Sequence, residues 1–216
     1  MRMDRWFVVL STTFFAGAAS AQVVAGRQAE KLPVSSKDWT FFLGGYGYFG
    51  GGDSAYGSAA WSADHKWLHL EARYNYENLR TGSLWTGYNF SAGHELVFRL
   101  TPMFGVVAGR TTGITLGYEL SFTYKRLELY SEGEYVRNTK DKDDSFFYSW
   151  NELRYSPVNW LHFGLVDQGS KAHRTEFDGQ HGVSLGFSRR NLDYTTYTFI
   201  TGSGGPSVVL ALSYTF

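Results

Sequence analysis

The chain has 216 residues, 20 Lys+Arg against 20 Asp+Glu, and no cysteine. This excludes disulfides, thiol nucleophiles and cysteine metal sites, and the balanced charge offers no single-sign field for nucleic acid or a polybasic membrane patch. Aromatic residues are plentiful, with 15 Tyr, 17 Phe and 7 Trp, yet mean hydropathy is below zero.

Residues 1–21 read as a secretory leader. Arg2 and Arg5 open it, Trp6 to Phe15 is a short apolar run, and Ala19-Ser20-Ala21 supplies a small-x-small cleavage pattern. The run is too short for a spanning helix, which needs about 20 apolar residues. Residues 22–38 have no periodicity and contain Pro33, so they are expected to form a tail. Residues 39–216 then form one domain with no apolar segment of helix length.

From Trp39 onward the chain falls into short alternating runs separated by turn chemistry. Trp39–Phe49 and Ala55–Ala63 flank Gly50-Gly-Gly-Asp53; both are rich in Gly, Ala and Ser, which blurs their faces. The preceding Gly-aromatic stretch is not a phosphate loop, since no Lys-Ser/Thr follows it. Asp64-His65-Lys66 turns into Trp67–Glu77, where Leu68, Leu70, Ala72, Tyr74 and Tyr76 oppose His69, Glu71, Arg73 and Asn75. A loop over 77–82 leads to Ser83–Ser91, and Ala92-Gly93-His94 turns into Glu95–Ala108. That run places Glu95, Arg99 and Thr101 on one face, and Pro102 predicts a bulge.

Ile114–Tyr124 alternates without a fault, with Glu119 on its polar face. Leu127–Arg137 aligns Glu128, Tyr130, Glu132 and Glu134. After a polar loop, Phe146–Tyr155 carries Glu152 and Arg154, and Ser156 to Asn159 turns into Trp160–Val166 with His162. A connection over 167–179, the longest, leads to His181–Ser188. Tyr194–Thr201 and the final strand complete about twelve strands, or ten without the first hairpin.

The last strand places Val208, Leu210, Leu212, Tyr214 and Phe216 on one face and ends on that Phe. A soluble protein with such a strand would expose an apolar edge and face. The alternation and terminal aromatic resemble the C-terminal insertion signal of bacterial outer-membrane β-barrels. The resemblance implies a closed all-β antiparallel barrel, inserted by the barrel-assembly machinery among outer-membrane lipids and lipopolysaccharide, with the 22–38 tail in the periplasm. The short connections and the longer ones at 138–145 and 167–179 alternate as that topology requires.

On this reading the lumen carries His69, Glu71, Arg73, Glu95, Arg99, Glu119, Glu128, Tyr130, Glu132, Glu134, Glu152, Arg154 and His162. Twelve strands lie between barrels filled by side chains and open channels. Two readings therefore stand: a narrow passive pore for ions or small polar solutes, or a lumen closed by charges pairing across it. Such a closed barrel would be structural or partner-binding. Outer-membrane phospholipases and lipid A deacylases resemble the chain in size, but their His-x-Ser signature is missing; His181 and Ser184 are three apart, on opposite strand faces. No enzyme activity, cofactor or metal site is expected, and the acidic run Asp141–Ser145 lacks the Gly and distant Glu of a calcium loop.

Overall fold

The computed structural model describes residues 39–50, 53–172, 175–200 and 205–216; the expected leader and tail lie outside them. Thirteen strand segments follow one another in antiparallel order. They are β1 (Thr40–Gly50), β2 (Asp53–His65), β3 (Leu68–Tyr74), β4 (Thr81–Tyr88), β5 (Phe90–Ala92), β6 (Leu96–Gly109), β7 (Gly113–Tyr124), β8 (Leu127–Asn138), β9 (Phe146–Val158), β10 (Leu161–Ala172), β11 (Asp178–Arg189), β12 (Leu192–Phe199) and β13 (Ser207–Thr215).

Both β4 and β5 pair with β6, and β13 pairs with β1. The sheet is therefore a closed barrel of twelve staves, β4 and β5 being two pieces of one stave. Closure leaves no open edge, so every stave finds two partners for its backbone.

Alternation sorts the side chains. Leu84, Leu116 and Leu165 are each more than 60% exposed on the outer face, while Thr115, Trp150 and His69 at inward positions are at most 1% exposed. An apolar exterior around a polar interior is the inverse of a soluble sandwich, and it matches a lipid-facing belt. Aromatic rings collect at the end of the barrel where β1 begins and β13 finishes. Phe41 stacks on Phe216 at 5.5 Å, Trp67 on Tyr88 at 5.5 Å and Trp160 on Phe187 at 6.3 Å. This is the interfacial girdle of such a barrel. The last residue is fastened to the first stave: Phe41 N–H donates to Phe216 O at 2.7 Å and Phe216 N–H to Phe41 O at 2.9 Å.

The exterior is not uniformly apolar. Tyr118, Ser131, Asn151, Asp167 and His181 form a polar chain across β7 to β11, with successive contacts of 3.2, 2.8, 3.3 and 2.7 Å. Each group satisfies the next, which limits the cost of polar atoms on the outer wall.

Three local expectations are corrected. Pro102 produces no bulge: Thr101 pairs with Glu119, Pro102 with Tyr118 and Met103 with Gly117 in unbroken register, and the missing N–H only interrupts the opposite stave at Asn89. A register shift falls instead between Leu161 and Phe163, opposite Ser156-Pro157. Accordingly β9 runs through Val158 and the turn shortens to Asn159-Trp160. Most of the 167–179 connection is strand, because Asp167–Ala172 pairs with β9 and Asp178–Gly182 with β10.

Candidate functional site

The lumen holds the chemistry. Strand β3 points His69, Glu71 and Arg73 inward, and β8 points Tyr130, Glu132 and Glu134 inward; all six are buried. Arg73 Nη2 donates to Glu71 Oε2 at 3.0 Å, and its Nη1 donates to Glu134 Oε2 at 3.2 Å. Its guanidinium also lies 4.1 Å from the Tyr76 ring centre and 4.7 Å from that of Trp85. A planar delocalised cation suits this fork of carboxylates between aromatic faces better than an ammonium does.

The connection between β3 and β4 turns into the barrel rather than into solvent. Asn75 and Arg80 adopt φ of 55° at its two ends, and Asn75 Nδ2 donates to Gly57 O at 2.9 Å. Tyr76 is thereby delivered to β8, where its hydroxyl donates to Glu132 Oε1 at 2.6 Å. Glu77, also buried, accepts from Ser83 Oγ and from Trp85 Nε1. Burial pushes the Glu77 carboxyl above the ordinary carboxylate range, with Arg73 opposing the shift. A cavity of about 10 Å³, about one water, remains beside Arg73, Met103, Glu132, Glu134 and Tyr148.

A second polar cluster lines β9 to β12. Arg154 grips Glu152 through Nε at 3.2 Å and Nη2 at 2.8 Å, and Ser184 Oγ donates to Glu152 Oε1 at 2.9 Å. His162 Nε2 lies 2.9 Å from Asp193 Oδ2; Ser188 and Thr195 donate to the same carboxylate at 2.7 and 2.8 Å. Gly186 admits the imidazole, since a Cβ there would stand 2.1 Å from His162 Cε1. Between the polar clusters an aromatic core fills the loop half of the barrel. Trp150 meets Tyr197 edge-on at 5.0 Å and Phe199 at 5.7 Å, with Tyr46, Tyr48 and Tyr148 in the same cluster.

The thirteen residues expected in the lumen thus fall into distinct places. His69, Glu71, Arg73, Tyr130, Glu132, Glu134, Glu152, Arg154 and His162 are buried in the two clusters, and Arg99, Glu119 and Glu128 are only partly buried. Glu95 stands apart, exposed in the turn between β5 and β6. Tyr76, Glu77, Trp150 and Asp193 are further lumen residues. Alternation on its own strand carried a signal for Trp150; nothing local marked the inward loop.

No family model matches the chain, and no curated protein matches it. Solved structures do. The KdgM porin superposes with a TM-score of 0.55 at 11% identity, over 81% of this chain and 99% of that one. The KdgM porin in complex with disordered oligogalacturonate gives 0.56 at 11% identity over the same shares. OccK8 (OprE) of Pseudomonas aeruginosa gives 0.48 at 11% identity, over 83% of this chain and 68% of that one.

The fold is porin-like. At such identity the likeness is one of fold. The lipid-facing belt is the surface that a barrel of this fold turns to a membrane.

Proposed function

We propose that this porin-like barrel is a narrow passive channel for ions and small polar solutes, with a preference for cations. The observation that carries the reading is the charged interior: stave after stave turns carboxylates and guanidinium groups away from lipid. A barrel needing only a plug would be cheaper to fill with apolar side chains. The lumen set holds more carboxylates than guanidinium groups, which favours cations. Oligogalacturonate, named with the KdgM porin, is a polyanion and suits such a lumen poorly. The groups partly open to solvent, Arg99, Glu119 and Glu128, trace the path, and Arg73 with Tyr76 forms its constriction. The loop end faces outward and the termini face the periplasm in this reading.

Hydrolase chemistry finds little support. The His162–Asp193 pair resembles part of a triad, but Ser188 and Thr195 direct their hydroxyls at the carboxylate, so neither is activated by the imidazole.

A closed, structural barrel is the second reading, favoured by the aromatic core at Trp150, Tyr197 and Phe199. Single-channel recording of the refolded protein in a planar bilayer separates the two. Discrete steps with cation selectivity, altered by E119Q and E128Q, are expected. A folded barrel without steps at any voltage would establish the closed form.

A further inference from the structure

We propose that His69, Glu71 and Glu119 form a binding site for a divalent transition-metal ion of the zinc class in the lumen wall. One ligand atom from each lies within 4.8 Å of the other two. The inference does not depend on whether the lumen conducts.

Preorganisation starts at Asp64. Its Oδ1 can only accept, so His69 Nδ1, 2.7 Å away, carries the proton. The same oxygen accepts from Asn89 Nδ2 at 2.8 Å, and Asn89 Oδ1 in turn accepts from Thr101 Oγ1 at 2.7 Å. This chain fixes the ring and presents Nε2 to the lumen, as a carboxylate does behind a metal-binding histidine.

With Nδ1 protonated, the Nε2 lone pair of the neutral ring faces Glu71 Oε2 at 3.4 Å. Two lone pairs so placed repel unless a proton on either group or a metal ion lies between them. The spacing suits the metal: bonds of about 2.1 Å in a tetrahedral site put neighbouring ligand atoms about 3.4 Å apart. Glu119 reaches the pair from β7. Position 87 on the intervening wall, paired with His69 and Met103, is a glycine and adds no side chain. Because Glu119 is only partly buried, it also provides an entry route and a fourth position for water. One imidazole with two carboxylates selects a zinc-class ion over magnesium or calcium, which take oxygen ligands.

Arg73 is the competitor. Its Nη2 holds Glu71 Oε2, while Nη1 holds Glu134. An arriving ion displaces the first contact and leaves Arg73 on Glu134.

Calorimetric titration of the refolded full chain in detergent with zinc chloride tests the site, with cobalt absorption as a second readout. One zinc per barrel is expected, with a tetrahedral cobalt band. H69A and E119Q each weaken binding by at least roughly tenfold, and D64N by roughly 10- to 100-fold. Heat-modifiable gel migration verifies each barrel; if H69A fails to close, E119Q decides, since its position is partly open. Absence of saturable zinc binding, or equal binding by wild type and E119Q, would overturn the proposal. A barrel silent in a bilayer would sink the channel reading and leave this one standing.

Discussion

Arg73 on β3 donates to Glu134 on β8 at 3.2 Å, although the two are 61 residues apart in sequence and three staves lie between them round the wall. The contact therefore spans the lumen and sets its width at that height. Removing the guanidinium has two separable effects. R73M should raise single-channel conductance and cation selectivity, because Glu71 and Glu134 then face water. It should also destabilise the barrel, by about 3–5 kcal/mol if the acids stay buried. R73M/E134Q should recover part of that loss while keeping the wider lumen. Unchanged conductance in R73M would show that the constriction lies elsewhere.

The inward loop should respond to pH through Glu77. Burial raises its carboxyl above the ordinary range, so the folded-in loop favours the neutral acid. For an acid raised in this way, the stabilisation is complete below the ordinary carboxylate value and is lost as pH rises through the raised one. Acidification should therefore hold the loop in, and a rise in pH should loosen it. The chain has no cysteine, so a spin label at L79C reports the loop alone. Its mobile fraction should increase with pH in the wild-type background and stay flat in E77Q, which can still accept from Ser83 and Trp85. A pH response that survives E77Q assigns it to another group.

Gly186 and His162 make a size-matched pair. A Cβ at 186 would approach His162 Cε1 to 2.1 Å and Thr195 Oγ1 to 2.6 Å. G186A should therefore expel the imidazole from Asp193 and cost about 1–3 kcal/mol in stability. In H162A the same glycine substitution should cost much less, giving a coupling of about 0.5–3 kcal/mol in a double-mutant cycle on detergent-refolded protein. Additive effects would mean that the imidazole does not depend on the gap.

Much of this architecture was legible because lipid enforces a period of two. Leu127–Arg137 could be assigned face by face from Leu127, Leu129 and Tyr135 against Glu128, Glu132 and Glu134. The rule fails where lipid ends. Asp167, Gly169 and Lys171 on the outer side of β10 are as polar as Gln168 and Ser170 on the inner side, so the strand reads as loop although it is fully paired. The 75–80 connection misleads for a different reason. Glu77, Asn78 and Arg80 have the composition of a solvated turn, and Tyr76, which alternation set on the outer face with Leu68 and Leu70, instead finds Glu132 across the barrel because the chain leaves the strand after Tyr74. Which carboxylate each guanidinium meets, and whether His69 meets Glu119, depends on the chord between staves, and no strand carries that information alone.

The lipid face gives the most direct check on the inside–outside division. Leu116 lies in the first half of β7 on the outer wall and is 62% exposed, next to Thr115, which is 1% exposed and points inward. An arginine at 116 cannot turn into the lumen without a one-residue register slip, and pairing with both β6 and β8 forbids that slip. Its charge must stay in hydrocarbon or snorkel along the wall, at a cost of about 2–4 kcal/mol near the midplane. L116R should therefore lower folding efficiency into lipid vesicles and the temperature at which the barrel loses its heat-modifiable migration. L116A removes apolar area without adding charge and should cost less. Matching behaviour of L116R and L116A would mean that position 116 does not meet lipid, and the division of every stave into two faces would have to be redrawn.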